Sequence, residues 1–376
     1  MHTLQQISSS SISLPPESYI YAISPSSPGS FAAISSDDSL RVFDAAGGRL
    51  GNASVISKQS HEGGVTALKP YAGKEGQQQS LLVTGGRDGM VRVWDARSRD
   101  GSAVLKIGTA RNAPVLSVAC NPETSSIVAG TELLSSQAVV AFWDIRSPKE
   151  FRLQYVESHN DDVTELQYHP TRSHILLSGS TDGLVNVYDT RIADENDALV
   201  QVINHGSVHH AGFLNDRTIY ALSHDEVFSI HPATDPDEQS QDPQPVQFGD
   251  LRQPLGCEYV AQLCFGGQQP YIAAGNKAEK RLDLVPLLST PSWQFDQNNV
   301  WRLPGAHGEE VVRSVYLDNQ SNTVFTCGED GFVRAWKPDE AGNIVATEKS
   351  PAHTSSSTPR TKGTKQKERK ERFKPY

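Results

Sequence analysis

Histidine, aspartate and a serine or threonine recur together along this chain. That trio is the material of nucleophilic acyl transfer, in which a carboxylate-held imidazole takes the proton of a hydroxyl. His61, Thr84 and Asp88 form one set, His159, Ser178 and Asp182 a second, and His307, Thr326 and Asp330 a third. An enzyme needs one such set and one nucleophile. Here the set repeats, each time ahead of an aromatic residue, Trp94, Tyr188 or Trp336. No Gly-x-Ser-x-Gly elbow accompanies it. A polar set repeated beside core aromatics is what structure, rather than catalysis, requires. The pairs Gly63-Gly64 and Gly85-Gly86 lack the following Lys-Ser/Thr of a phosphate loop.

The remaining reactive residue types point the same way. His205, His209, His210, His224 and His231 lie close in sequence but on different predicted strands and turns, so they are read as structural or surface groups, not metal ligands. Cys120, Cys257, Cys264 and Cys327 form no CxxC pair. They are read as reduced thiols of an intracellular protein, mostly buried in strands. The expectation is a protein without enzymatic activity, metal or cofactor.

A third pattern is Asp95-Ala96-Arg97, Asp144-Ile145-Arg146 and Asp189-Thr190-Arg191. The plain reading is a strand-end cap with a local ion pair, which contributes little when exposed.

The elements that position these residues come from one repeated phrase: a short apolar strand, a small-residue pair, an Asp-containing turn, a second strand, then an aromatic and an Asp. The clearest copy runs from Leu81 to Asp95. Others end at Asp44, Asp144, Asp189, His231, Pro286 and Lys337, with steps of 42 to 55 residues. Val91 and Val93 alternate with Arg92, as strand residues do, and Asp88-Gly89 fits a tight hairpin turn. Val65–Leu68 upstream and Ala103–Ile107 downstream complete four strands, the content of one propeller blade. The spacing predicts an all-β, single seven-bladed β-propeller over residues 1–338, followed by a disordered basic tail over 339–376. The segment 232–254, rich in Pro, Asp and Gln, is expected to be an exposed insertion loop. Ring closure calls for an outer strand on the last blade. Leu4 to Leu14 is the predicted supplier and Asn343 to Thr347 the competing one.

With these motifs in view, the chain resembles the WD-repeat family of β-propellers, most of all its WD-repeat-containing protein 89 group. In that family a His, a Ser or Thr, an Asp and a Trp form a hydrogen-bonded tetrad. The resemblance implies structural tetrads of His61, Thr84, Asp88 and Trp94, of His159, Ser178, Asp182 and Tyr188, and of His307, Thr326, Asp330 and Trp336. Unit one has Asp37 and Phe43 but no clear His. Unit five keeps His205 and Asp225, with Ile230 where the Trp would sit, and unit six has neither Asp turn nor Trp. Similar Trp-Asp-x-Arg boxes mark substrate receptors that dock on the adaptor of cullin–RING ubiquitin ligases. By resemblance, Arg97, Arg146 and Arg191 are candidate protein-binding residues.

Charge adds a partner class. The chain carries a net −10, yet residues 360–376 hold eight Lys/Arg and two Glu, a net of +6, which leaves −16 on the remainder. An acidic body disfavours non-specific nucleic-acid binding and attracts basic proteins. The tail is open to three readings: a solvated end, a nuclear-targeting signal centred on Lys365, Lys367, Arg369 and Lys370, or weak contact with nucleic acid or an acidic partner. No apolar run approaches the ~20 residues of a spanning helix, and Met1–Ser13 lacks the features of a secretory signal. The expected molecule is a monomeric, nuclear and cytoplasmic interaction scaffold for basic clients, with the ubiquitin-ligase substrate-receptor role as the alternative.

Overall fold

The computed structural model describes residues 1–71, 80–98, 100–234 and 243–339. Among the described residues, seven units of four antiparallel strands follow one another along the chain, blade six with a further two-residue strand, Gln294–Phe295, and each begins with a short inner strand: Ile20–Ser27, Val65–Pro70, Val115–Asn121, Val163–Tyr168, Val208–Asn215, Tyr259–Gly266 and Val312–Asp318. Each inner strand carries the same register shift near its start, at Ile20/Ala22, Val65/Ala67, Val115/Ser117, Val163/Glu165, Val208/His210, Val260/Gln262 and Val312/Ser314. A bulge of this kind re-aims one side chain and sharpens the local twist. Its sevenfold recurrence marks the blades as copies of one unit, and the fold is a seven-bladed propeller.

The core lies between blades, not at the centre. Each junction of neighbouring blades has its own apolar cluster. Phe142 and Tyr155 of blade three, for example, pack with Leu176 and Tyr188 of blade four, and Phe31 and Phe43 of blade one with Phe325 of blade seven. The repeated small-residue pair follows from this packing. A Cβ on Gly85, Gly130 or Gly179 would lie 2.5, 2.5 and 2.8 Å from a methyl of Val115, Val163 and Val208, the residues that open the next blade's inner strand.

Ring closure uses the N-terminal segment. His2–Ser10 pairs antiparallel with Val333–Pro338 as the outer strand of blade seven. It also pairs in parallel with the outer strand of blade six, His2 opposite Trp301 and Thr3 opposite Arg302. His2 stacks on Trp301 at 4.4 Å, and Leu4 is fully buried. The segment thus welds blades six and seven into one sheet. The competing Asn343–Thr347 and the tail lie outside the described residues. The predicted 232–254 loop needs correction over its second half: Val246–Asp250 pairs with Val227–Ile230 as the outer strand of blade five, and Arg252–Leu255 forms one helical turn. A Pro- and Gln-rich composition masked a strand whose Val246 and Phe248 pack on the core of blades five and six.

The polar sets sit inside blades two, four and seven. Trp94 Nε1 donates to Thr84 Oγ1 at 2.8 Å, Thr84 Oγ1 lies 2.7 Å from His61 Nε2, and His61 Nδ1 lies 2.8 Å from Asp88 Oδ1. Because the Asp88 carboxylate can only accept, Nδ1 carries the proton facing it, and Nε2 accepts the Thr84 hydroxyl proton. Blade seven repeats the chain through Trp336, Thr326, His307 and Asp330 at 3.0, 2.7 and 2.7 Å. In blade four His159 lies 2.7 Å from Ser178 and 3.0 Å from Asp182, and Ser178 donates to the Tyr188 hydroxyl at 3.2 Å. An Arg four residues after the Asp belongs to the same network in two of these blades: Arg92 donates to Asp88 at 2.6 Å, and Arg334 donates to Asp330. In blade one, which lacks the His, Arg41 takes over, donating to Asp37 at 3.1 Å and to the Ser13 carbonyl at 2.9 Å.

Blade five differs from expectation. Its register opposes Ile219 to His231, as Leu82 opposes Trp94, so His231 and not Ile230 holds the aromatic position. His231 Nε2 lies 2.8 Å from Ser229 Oγ, which lies 3.0 Å from His205 Nδ1. Ser229 has moved the hydroxyl from the second strand to the third. Blade six keeps no network at these positions, where Ile272 and Leu287 are buried.

Burial pushes the His61 and His307 imidazoles below their ordinary value of 6.5, against the pull of Asp88 and Asp330. Burial alone would raise Asp88, Asp182 and Asp330, but hydrogen bonds from their His partners and further donors hold all three below 3.8. Both groups bind protons more readily when unfolded, so acid favours unfolding. The histidine contribution is present above about pH 6.5 and lost below it, and the carboxylate contribution is lost below about pH 4. The thermal midpoint should therefore be flat above pH 7 and fall continuously from pH 6.5 to 4; a midpoint that holds or rises between pH 7 and 5 contradicts this. Thr84→Val leaves a buried indole N–H and an imidazole nitrogen unpaired, and should cost about 1–3 kcal/mol by denaturant unfolding. Deleting residues 2–10 should cost far more, because it exposes the edges of blades six and seven together.

Candidate functional site

The seven bulges aim their residues at one place. Tyr21, Thr66, Leu116, Thr164, His209, Ala261 and Arg313, one from each blade, line a cavity of about 1070 Å³ on the propeller axis. The cavity opens among the hairpin turns, through Asp38, Arg87, Glu226 and Lys277. Side chains near the wall bridge adjacent blades: Thr66 donates to the Val115 carbonyl at 2.5 Å, Thr164 to that of Val208 at 2.9 Å, and Gln262 to that of Val315 at 2.9 Å. The wall is therefore braced before any ligand arrives.

Ionisable groups line one arc of the wall and stand behind it. Glu165 of blade four lies 3.0 Å from His210 Nδ1 of blade five and 4.0 Å from Lys69 Nζ of blade two. Burial pushes the Glu165 carboxyl up, but His210 and Lys69 outweigh it and hold the group below 4.5. His209 stacks on His224 at 5.0 Å and lies against His210 at 4.2 Å. Burial, reinforced by His210 and His224, pushes His209 down to about 3, so its ring is neutral near pH 7. The histidines read from sequence as scattered thus split into two groups. His209, His210 and His224 come together at the channel, while His205 and His231 lie in the blade-five network. Among the described residues no cluster of His, Cys, Asp and Glu could hold a metal ion. Cys120, Cys257 and Cys264 are free, and burial pushes their thiols up to about 12, 11 and 12. Such thiols are poor nucleophiles at neutral pH.

The Asp-x-Arg motifs lie at the other end of the molecule. Asp88 opens the third strand of blade two and Asp95 closes it, so the arginines stand on the rim opposite the hairpin turns. Arg97 donates from Nε and Nη2 to Asp95 at 2.9 and 2.7 Å, Arg146 to Asp144 at 2.9 and 2.6 Å, and Arg191 to Asp189 at 2.9 and 2.5 Å. Each Asp also accepts its arginine's own backbone N–H. The fork holds Asp144 down to about 2 and Asp95 and Asp189 below 3.8. A fourth copy, missed in the sequence, joins Arg252 to Asp250 at 3.0 and 2.7 Å after the outer strand of blade five. The clamp forms wherever Asp-x-Arg ends a strand, as a local cap does. The three rim guanidinium groups nonetheless keep 77, 72 and 65% of their side-chain surface exposed. Lys365, Lys367, Arg369 and Lys370 lie outside the described residues.

The WD domain, G-beta repeat family matches residues 53–95, 151–189 and 298–337, the three spans that contain the complete polar sets. An uncharacterized WD repeat-containing protein of Schizosaccharomyces pombe is 32% identical over 270 residues, covering 69% of this chain and 80% of its own length. A Saccharomyces cerevisiae counterpart is 37% identical over 257 residues, 68% of this chain and 64% of its own, so the chain spans just under two thirds of that relative. The WD repeat-containing protein 89 homolog of Dictyostelium discoideum is 24% identical over 318 residues, 82% of this chain and 80% of its own. Among solved structures, the WD40 β-propeller domain of Doa1 superposes with a TM-score of 0.61 at 12% identity, covering 90% of this chain and 98% of that one, a likeness of fold alone. A propeller of this kind is a scaffold for protein–protein interaction. On its repeats, its closed ring and these relatives, the chain belongs to the WD-repeat family.

Proposed function

We propose that this propeller is a non-catalytic, monomeric binding platform that recognises basic client proteins, histones or ribosomal proteins by class, in the nucleus. The observation that carries the reading is the charge division: −16 over the body against +6 in residues 360–376. A body of that charge attracts a basic partner at long range and repels nucleic-acid backbone. A braced channel wall lined from all seven blades supplies a rigid surface on which a partner can be held. Core histones immobilised as a probe should retain the protein at about 50 mM salt and release it by about 300 mM, where charges at the surface are screened. Retention that ignores salt would count against this reading. Nuclear location is assigned to the tail, so a fluorescent fusion ending at Pro338 should lose the nuclear enrichment of the full chain.

A second reading rests on one observation, three exposed guanidinium groups held in the same fork on consecutive blades. Like-held guanidinium groups repeated on consecutive blades suit the adaptor of a cullin–RING ubiquitin ligase. Replacing Arg146 and Arg191 by Ala should abolish co-purification with that adaptor and leave thermal stability nearly unchanged. If the wild type never recovers the adaptor, this reading fails and the forks are caps.

A further inference from the structure

Blade three differs from its neighbours on the rim opposite the hairpin turns. The same turn follows Asp95, Asp144 and Asp189. In each, the residue after the arginine donates its backbone N–H to the Asp carbonyl, Ser98 at 3.0 Å, Ser147 at 2.9 Å and Ile192 at 3.1 Å. The side chains at that place are not alike. Ile192 has no hydroxyl, and Ser98 is half-buried with its hydroxyl facing the Asp100 N–H at 3.5 Å. Ser147 is exposed, and none of the described residues bonds its hydroxyl.

The chain on either side holds that serine in place. Before it, Arg146 forks Asp144. After it, Pro148 fixes its own backbone and biases Ser147 toward an extended conformation. Phe151 packs on Trp143 at 5.2 Å, and Arg152 donates its N–H to the Phe142 carbonyl at 2.8 Å. A free hydroxyl thus stands directly ahead of a proline on an exposed, anchored turn. Kinases that read a proline after the serine take such a group. The other described pairs of this kind are less suited. Ser24, ahead of Pro25, is buried. Ser27-Pro28 and Thr290-Pro291 are followed by no Lys or Arg in the next four residues, whereas Ser147-Pro148 is followed by Lys149 and Arg152, both exposed.

We propose that Ser147 is a phosphorylation site for a proline-directed kinase, and that its phosphate takes Arg146 from Asp144. The kinase moves the γ-phosphoryl group of ATP to Ser147 Oγ. A bond forms between Oγ and phosphorus, the bond from that phosphorus to the β,γ-bridging oxygen breaks, ADP leaves, and the hydroxyl proton passes to the base of the kinase. The product carries about two negative charges and three acceptor oxygens. Such a group competes with a single carboxylate for the guanidinium, and Lys149 and Arg152 add to its hold. Arg146 is free to swing, with 72% of its side-chain surface exposed. Asp144 keeps the Arg146 backbone N–H, so the turn survives the exchange. The middle of three like cationic forks thereby becomes an anionic position. This charge switch is independent of the basic-client reading.

The test incubates the full chain with a purified proline-directed serine/threonine kinase and Mg-ATP. Ser350-Pro351 and Thr358-Pro359 carry the same dipeptide, so phosphate is mapped by mass spectrometry on the 144–160 fragment released by a protease that cuts before aspartate. The fragment should gain one phosphoryl group in the wild type and none in Ser147→Ala. A folded wild type that gains no phosphate in this fragment overturns the site, as does phosphate that persists in Ser147→Ala. The partner exchange is read by phosphorus NMR in a chain carrying Ser350→Ala and Thr358→Ala. With Arg146 present, the second ionisation of the Ser147 phosphate should lie about half a unit or more below its value in Arg146→Gln, because a nearby cation favours the dianion. Equal values in the two chains contradict the exchange.

Discussion

Everything in this molecule depends on closing a ring from units that cannot stand alone. Each blade buries its faces only against its two neighbours, so seven blades need seven junctions, and the last is made by His2–Ser10. That strand does more than complete blade seven. Its first residues continue into a parallel pairing with blade six, which ties two blades with one segment. Without closure, the outer edges and the blade-seven/blade-one core of Phe31, Phe43 and Phe325 would face water. The axial channel exists only because the ring is complete.

Within that ring, several different polar networks solve one problem, how to fix a hairpin turn against the strands behind it. Blades two, four and seven use His with Asp and a hydroxyl. Blade one uses Arg41, and blade five a displaced serine between two histidines. Blade six uses Arg281, which donates to Glu279 in the turn and to the Gly256 carbonyl, beside a buried Asp283 that Arg302 also holds. Different satisfied networks can hold the same turn, which is why decay of the motif does not mean decay of the blade.

Much of the architecture was legible in the sequence because period, turn chemistry and strand alternation agree in most units. The three complete sets could be read residue by residue, since His61, Thr84, Asp88 and Trp94 stand at offsets that recur. Other features were not legible, each for a physical reason. The bulge that aims Tyr21 or His209 into the channel is a register shift, invisible without the partner strand. The strand Val246–Asp250 lies in a composition that suggests a loop. His231 could not be distinguished from Ile230 as the aromatic equivalent until pairing with Ile219 placed it. Glu226 looked like one more acidic turn residue, and only its burial sets it apart.

We propose client recognition at the channel mouth among the hairpin turns, with the opposite rim a set of strand caps. Hydrogen exchange of the full chain with and without a captured basic client tests this most directly. Slowed exchange is expected over residues 224–227 and 256–260, with no change over 95–98, 144–147 and 189–192. Protection confined to those three rim segments, with the channel mouth unaffected, would contradict it.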